Sequence, residues 1–137
     1  MSNQEKIDFL KQYKNLDNHI DILLAEAEKW KTRAEKITPV LTGMPAGGDN
    51  DNQRESAICK MIDCKWEATK ETDELVDLGR KIKSAIKAVP NHDHRLLLTY
   101  RYISGMTFEE ISFKMNYSWR QTHRMHSQAL NEIEIMS

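Results

Sequence analysis

Residues that interrupt helices are scarce in this chain. Five Gly and three Pro in 137 residues exclude a low-complexity or collagen-like protein and fit long solvated helices better than a sheet. Cysteine is limited to Cys59 and Cys64, with four residues between them. That is too few for a disulfide framework, and both read as reduced thiols of a cytoplasmic protein. No apolar run approaches the ~20 residues of a membrane-spanning helix. The opening Met1-Ser2-Asn3-Gln4-Glu5-Lys6 has no signal-peptide core. An excess of either charge is also missing: Lys and Arg total 20 against 21 Asp and Glu. Residues 1–90 carry 15 basic and 16 acidic side chains, and residues 91–137 carry five of each plus four of the five His. Without a global positive field, affinity for nucleic acid has to come from local arrangement or from two copies acting together. Catalytic signatures are lacking as well. The chain shows no Ser/His/Asp, Cys/His or phosphate-loop pattern, so neither an enzyme nor a cofactor is expected.

What the chain does contain is helical periodicity. From Gln4 to Ile37, apolar residues fall at Phe9, Tyr13, Leu16, Ile20, Leu23, Ala27, Trp30, Ala34 and Ile37. Spacings of four and three mark a helix that packs along another helix. Thr38-Pro39 ends it, and residues 38–52, with three of the five Gly, read as a linker. A second long helix is expected from Gln53 to Ala88. Its seam runs Ile58, Met61, Lys65, Ala68, Thr72, Leu75, Gly79, Ile82, Ile86 and Val89. Gly79 costs about 1 kcal/mol inside a helix relative to Ala but admits a close neighbour. Trp30 and Trp66 read as packing between the two helices. The acidic stretch from Glu67 to Asp77 reads as a solvated face. Residues 1–90 are thus expected to form a long hairpin that dimerises.

Three short helices follow: His92 to Ile103, Phe108 to Met115, and Trp119 to about Ile135. Thr107-Phe-Glu-Glu110 and Ser118-Trp-Arg-Gln121 are both S/T-x-x-E/Q capping boxes. Eleven residues separate the two capped starts, enough for a two-and-a-half-turn helix and a tight turn at Asn116-Tyr117. Those are the dimensions of a helix-turn-helix. Gly105 and Asn116 sit where left-handed backbone closes helices. Ile111, Met115 and Phe108 should point inward, as should Thr122, Met125, Ala129, Leu130 and Ile133. The opposite face then consists of Trp119, Arg120, Gln121, His123, Arg124 and Ser127. Arg and Gln can grip guanine and adenine in bidentate fashion, and Ser118 with the first amides can hold a phosphate. Lys114, Arg95 and Arg101 are candidate flanking phosphate contacts, with Lys114 the best placed. His92, His94, His123 and His126 lack the thiolate partners of structural zinc sites, so no metal is expected. His92 and His94 read instead as helix caps, and His126 as partly buried.

The stretch from Thr107 to Leu130 resembles region 4 of sigma-70-type factors, the part that reads the −35 promoter element. The whole chain resembles a family of small phage and prophage proteins of Gram-positive bacteria, of unknown function. The resemblance rests on the long first helix, the linker Ile37 to Gly48, the second long helix, and the runs around Arg101-Tyr-Ile-Ser-Gly-Met-Thr-Phe-Glu-Glu-Ile111 and Arg120-Gln121 to Leu130. It implies an all-α protein with a long helical hairpin and a helix-turn-helix unit at residues 91–137. It also implies a DNA-binding transcriptional regulator in the bacterial host cytoplasm, acting on double-stranded DNA and in concert with RNA polymerase. Trp119, Arg120, Gln121, His123 and Arg124 would occupy base-facing positions. Trp119 departs from the pattern, where a polar or basic residue is usual. It is compatible with hydrogen bonding, with contact to a thymine methyl, or with no contact to DNA. Two alternatives stand beside this: a DNA-packaging protein of the small-terminase type, and a protein-interaction adaptor or antagonist that binds RNA polymerase or a repressor.

Overall fold

The computed structural model describes residues 1–36 and 48–135. Every regular element among them is helical: α1 Asn3–Lys36, α2 Gly48–Lys87, α3 His92–Leu98, a π-helical turn Thr99–Ile103, α4 Phe108–Met115 and α5 Trp119–Glu132. The chain is therefore all-α, with a pair of long helices followed by short ones. Most of the expected linker lies outside the described residues, but Gly48 to Asn52 already belong to α2. The helix thus starts earlier than the Gly-rich composition implied. Asp51, in its opening turn, carries the charge that the positive end of a helix favours.

The chain divides into two compact units: Met1–Leu16 with Glu74–Ser137, and Asp17–Asp73. In the second unit, Ile20, Leu23, Ala27 and Ala34 of α1 are buried as the spacing predicted. Trp30 packs beneath Lys60 of α2, 4.4 Å from the ring centroid. His19 Nδ1 donates to Glu71 Oε2 at 2.6 Å. These pairs run in opposite directions along the two helices, so the strands of the hairpin are antiparallel here. In this unit the α2 seam keeps the expected Ala68, but the positions expected at Ile58, Lys65 and Thr72 are each taken by the preceding residue. Ala57, Cys64, Ala68 and Glu71 face inward, whereas Lys65 and Thr72 are exposed. Lys65 is better solvated outside, and the Thr72 hydroxyl bonds back to the Ala68 carbonyl. Trp66 is also a correction: it is 75% exposed, on the side of α2 away from the seam. Burial, reinforced by Glu26, Glu67 and Asp63, pushes the Cys64 thiol up.

In the first unit, α2 comes very close to α1 at Gly79. A Cβ there would stand 2.9 Å from Tyr13 Cε2, so the glycine is what admits the Tyr13 ring. The core gathers Leu10, Ile82, Ile86, Val89, Leu98, Tyr102, Ala129, Leu130 and Ile133. Leu10, one position off the predicted α1 stripe, is fully buried in it. Lys6 extends the junction by donating to the Leu130 carbonyl at 2.7 Å. A second cluster (Leu97, Ile111 and Met125, flanked by Tyr100, Phe108, Met115 and Tyr117) holds α3, α4 and α5 together. The last helix ends at Glu132, three residues before the expected Ile135. Ile133 turns extended (φ −71, ψ 133), which lets Ile133 and Ile135 reach the core from an irregular tail after the helix.

Candidate functional site

The short helices are set by local chemistry that the sequence displays. Asn91, rather than His92 or His94, caps α3: its side chain accepts from the Asp93 and His94 amides. The π-helical turn widens the end of this segment, and Gly105 (φ +73) stops it with the Met106 amide on the Tyr100 carbonyl. A left-handed conformation is what a glycine at that place supplies. Thr107 Oγ1 then accepts from the Glu110 amide at 3.2 Å and starts α4. Its reciprocal bond runs from the hydroxyl to Glu110 Oε1 rather than back to a backbone amide. Asn116 adopts the left-handed conformation (φ 59, ψ 38), and the Tyr117 amide returns to the Ser112 carbonyl at 3.1 Å. Two residues later Ser118 Oγ accepts from the Gln121 amide at 3.1 Å and opens α5.

Side chains lock these elements in register. Ser112 Oγ donates to Thr122 Oγ1 at 2.9 Å, joining α4 to α5. The Tyr117 hydroxyl donates to Asp93 Oδ2 at 2.8 Å, tying the turn to α3, and this bond pushes the phenol's pKa up. Buried His94 donates from Nδ1 to Glu132 Oε2 at 2.9 Å, joining α3 to the end of α5. The Tyr102 hydroxyl and His126 Nε2 share a buried hydrogen bond of 2.7 Å. Burial pushes the tyrosine up to about 12. Burial also lowers His126 to about 4, with Arg101 and His123 adding to the effect. His126 is thus a neutral core group.

The inner stripe of α5 is Thr122, Met125, Ala129 and Leu130, all buried. Opposite it, Arg120, Arg124 and Ser127 follow one another at spacings of four and three, all exposed. Gln121 lies exposed beside this row. Trp119 is 59% exposed at the first position of the helix, and Ser118 is committed to the cap. Ser127 donates to the His123 carbonyl at 3.3 Å. Lys114 on α4 is exposed, its ammonium 5.3 Å from the Tyr100 ring centroid. From Trp119 to Asn131 there is no acidic residue. Gln128, exposed one turn beyond Arg124, extends the same face; its i+4 spacing was the signal that sequence reading passed over.

Three expected contacts turn out differently. Arg95 donates to the Val89 and Pro90 carbonyls at 2.7 and 3.1 Å. Arg101 donates to the Met106 carbonyl at 3.0 Å and lies 4.3 Å from the Phe108 ring centroid. Both guanidiniums fasten backbone bends and are poorly placed to hold phosphates. His123 is partly buried, its ring between Phe108 (4.2 Å between centroids) and Trp119 (4.0 Å). Its Nε2 is enclosed with no partner among the described residues, so that nitrogen is not presented to a ligand in this conformation. Among the described residues no three His, Cys, Asp or Glu side chains converge as metal ligands. No helix among them is long and apolar enough to cross a membrane.

The family model described as "Protein of unknown function (DUF1492)" matches residues 38–134, more than half of the chain. The chain belongs to that family. The match spans α2 and the short helices, including α5 with its outer row. Neither a curated protein nor a solved structure matches the chain.

Proposed function

We propose that the chain is a DNA-binding transcriptional regulator of phage or prophage genes, with α4 and α5 acting as a helix-turn-helix like that of sigma region 4. One observation carries this reading. The row Arg120, Arg124 and Ser127, with Gln121 beside it, has no side-chain partner among the described residues apart from the Ser127 bond to its own helix. In a chain of net charge −1, an acid-free donor row on the second helix of such a motif matches the chemistry of base edges and phosphates. Lys114 adds a phosphate contact from the preceding helix. A pulldown of host-phage promoter fragments with the full chain, followed by footprinting, tests the reading. A protected site of discrete sequence is the expected result; retention of every fragment alike, or of none, contradicts it.

Two more parts of the reading have their own support. Ile62 and Trp66, one helical turn apart on α2, are 54% and 75% exposed. Apolar side chains so placed favour self-association, and a dimer on adjacent half-sites compensates for the weak charge of each copy. Sedimentation at tens of micromolar should give the dimer mass, and a ring-sized mass would favour the small-terminase alternative. Phe113 on α4 is 87% exposed beside Glu109 and Glu110. That apolar residue with acidic neighbours favours a contact with protein, such as RNA polymerase, in addition to DNA.

A further inference from the structure

The 5-methyl group of thymine is the prominent apolar group on the base edges of the major groove, set among hydrogen-bond donors and acceptors. On the proposed reading surface one side chain is apolar. Trp119 stands at the first position of α5, 59% exposed, where the helices of such motifs approach base edges. Its indole nitrogen has no hydrogen-bond partner among the described residues, so no polar contact fixes the ring. Aromatic packing holds it instead. The His123 ring lies against it at 4.0 Å between centroids, tilted 50°. Phe108 backs His123 at 4.2 Å, and Arg101 lies on Phe108, itself bonded to the Met106 carbonyl. A column of four side chains therefore runs from the bend before α4 to the tip of α5. A large ring that served only the core would be covered, and an unsupported surface ring would move freely. This one is exposed and held from behind.

We propose that Trp119 reads thymine through its 5-methyl group, with His123 as the positioning residue that sets the ring against Phe108. The inference rests on the DNA-binding reading above and names the base that the surface prefers. It separates the roles of neighbouring residues: Arg120, Gln121 and Arg124 supply hydrogen bonds, and Trp119 supplies the apolar contact.

The test uses the full chain and the duplex it enriches from a pool of random duplexes. Thymines in that duplex are replaced one at a time by deoxyuridine, which removes only the methyl group. At one or two positions the wild-type chain should bind roughly three- to fivefold more weakly, the loss expected for one buried methyl. Trp119→Ala should be insensitive to the same replacement, and Trp119→Phe, which keeps an apolar ring, should retain part of it. His123→Ala should reduce the methyl effect. Because Trp119 is largely exposed, its variants should unfold at the wild-type temperature, which circular dichroism checks. If every uracil is neutral for the wild type, or if Trp119→Ala keeps the same sensitivity, the inference is overturned while DNA reading stands. If no duplex is enriched at all, the DNA reading falls and this inference with it.

Discussion

The two faces of α5 are made of the same stretch of chain and are under opposite constraints. On the inner face, Thr122, Met125, His126, Ala129 and Leu130 are each at most 9% exposed, and each touches another element of its unit. On the outer face, Arg120, Gln121, Arg124 and Gln128 are exposed, with no side-chain partner among the described residues. A comparison with Arg95 and Arg101 sharpens the point, because those two arginines are spent on backbone carbonyls. Position in the fold, not residue type, decides which cations are available to a partner. Along a single helix, one face is committed to the fold and the other is left out of it.

The largest effect is expected on the inner face. Leu130→Ala removes a fully packed side chain from the core shared by α1, α2 and α5. It should cost about 2–5 kcal/mol in denaturant unfolding. A loss under 1 kcal/mol would mean that this face is not the structural one. The second effect comes from His126. Folded His126 stays neutral down to about pH 4, against 6.5 for the free side chain. The unfolded chain therefore binds the extra proton as pH falls through this window. Stability at this site is fully present above about pH 6.5 and is lost on the way down to about pH 4. The loss is on the order of 2–3 kcal/mol. His126→Gln, which does not titrate, should flatten that part of the pH profile; an unchanged slope would place the titration elsewhere. The smallest stability effect belongs to the outer face. Arg124→Ala should change unfolding free energy by less than about 0.5 kcal/mol, and a larger loss would show a structural duty there.

The same contrast explains what could be read from the sequence. The stripe of α5, the caps at Thr107 and Ser118 and the left-handed turns at Gly105 and Asn116 were all visible, because they depend on residues within a few positions of each other. Leu10 was not. Periodicity shows which face of α1 is apolar, but the side chain beside that face is buried only because α5 arrives there from the far end of the chain. Part of the middle of α2 is misphased for a related reason. Around the expected Ala68, the inward positions are Ala57, Cys64 and Glu71 in place of Ile58, Lys65 and Thr72, and Glu71 turns inside where His19 meets it. Trp66 looked like seam by residue type but lies on the other side of the helix. At the candidate site, the exposure of Arg120, Gln121, Arg124 and Ser127 follows the expected pattern, whereas Gln128 was missed and His123 turns inward. The engagement of Arg95, Arg101 and His123 was hidden, since long side chains and rings find their partners through bends that no local pattern specifies.

The central claim, that the outer row of α5 binds DNA and does nothing else, is tested most directly by measuring binding and unfolding on the same pair of variants. Arg120→Ala and Arg124→Ala should each weaken binding to the footprinted duplex by roughly 1–3 kcal/mol, mostly on that sequence, with unfolding unchanged. Binding that is untouched, or weakened equally on every duplex, would contradict the assignment of these residues to base reading.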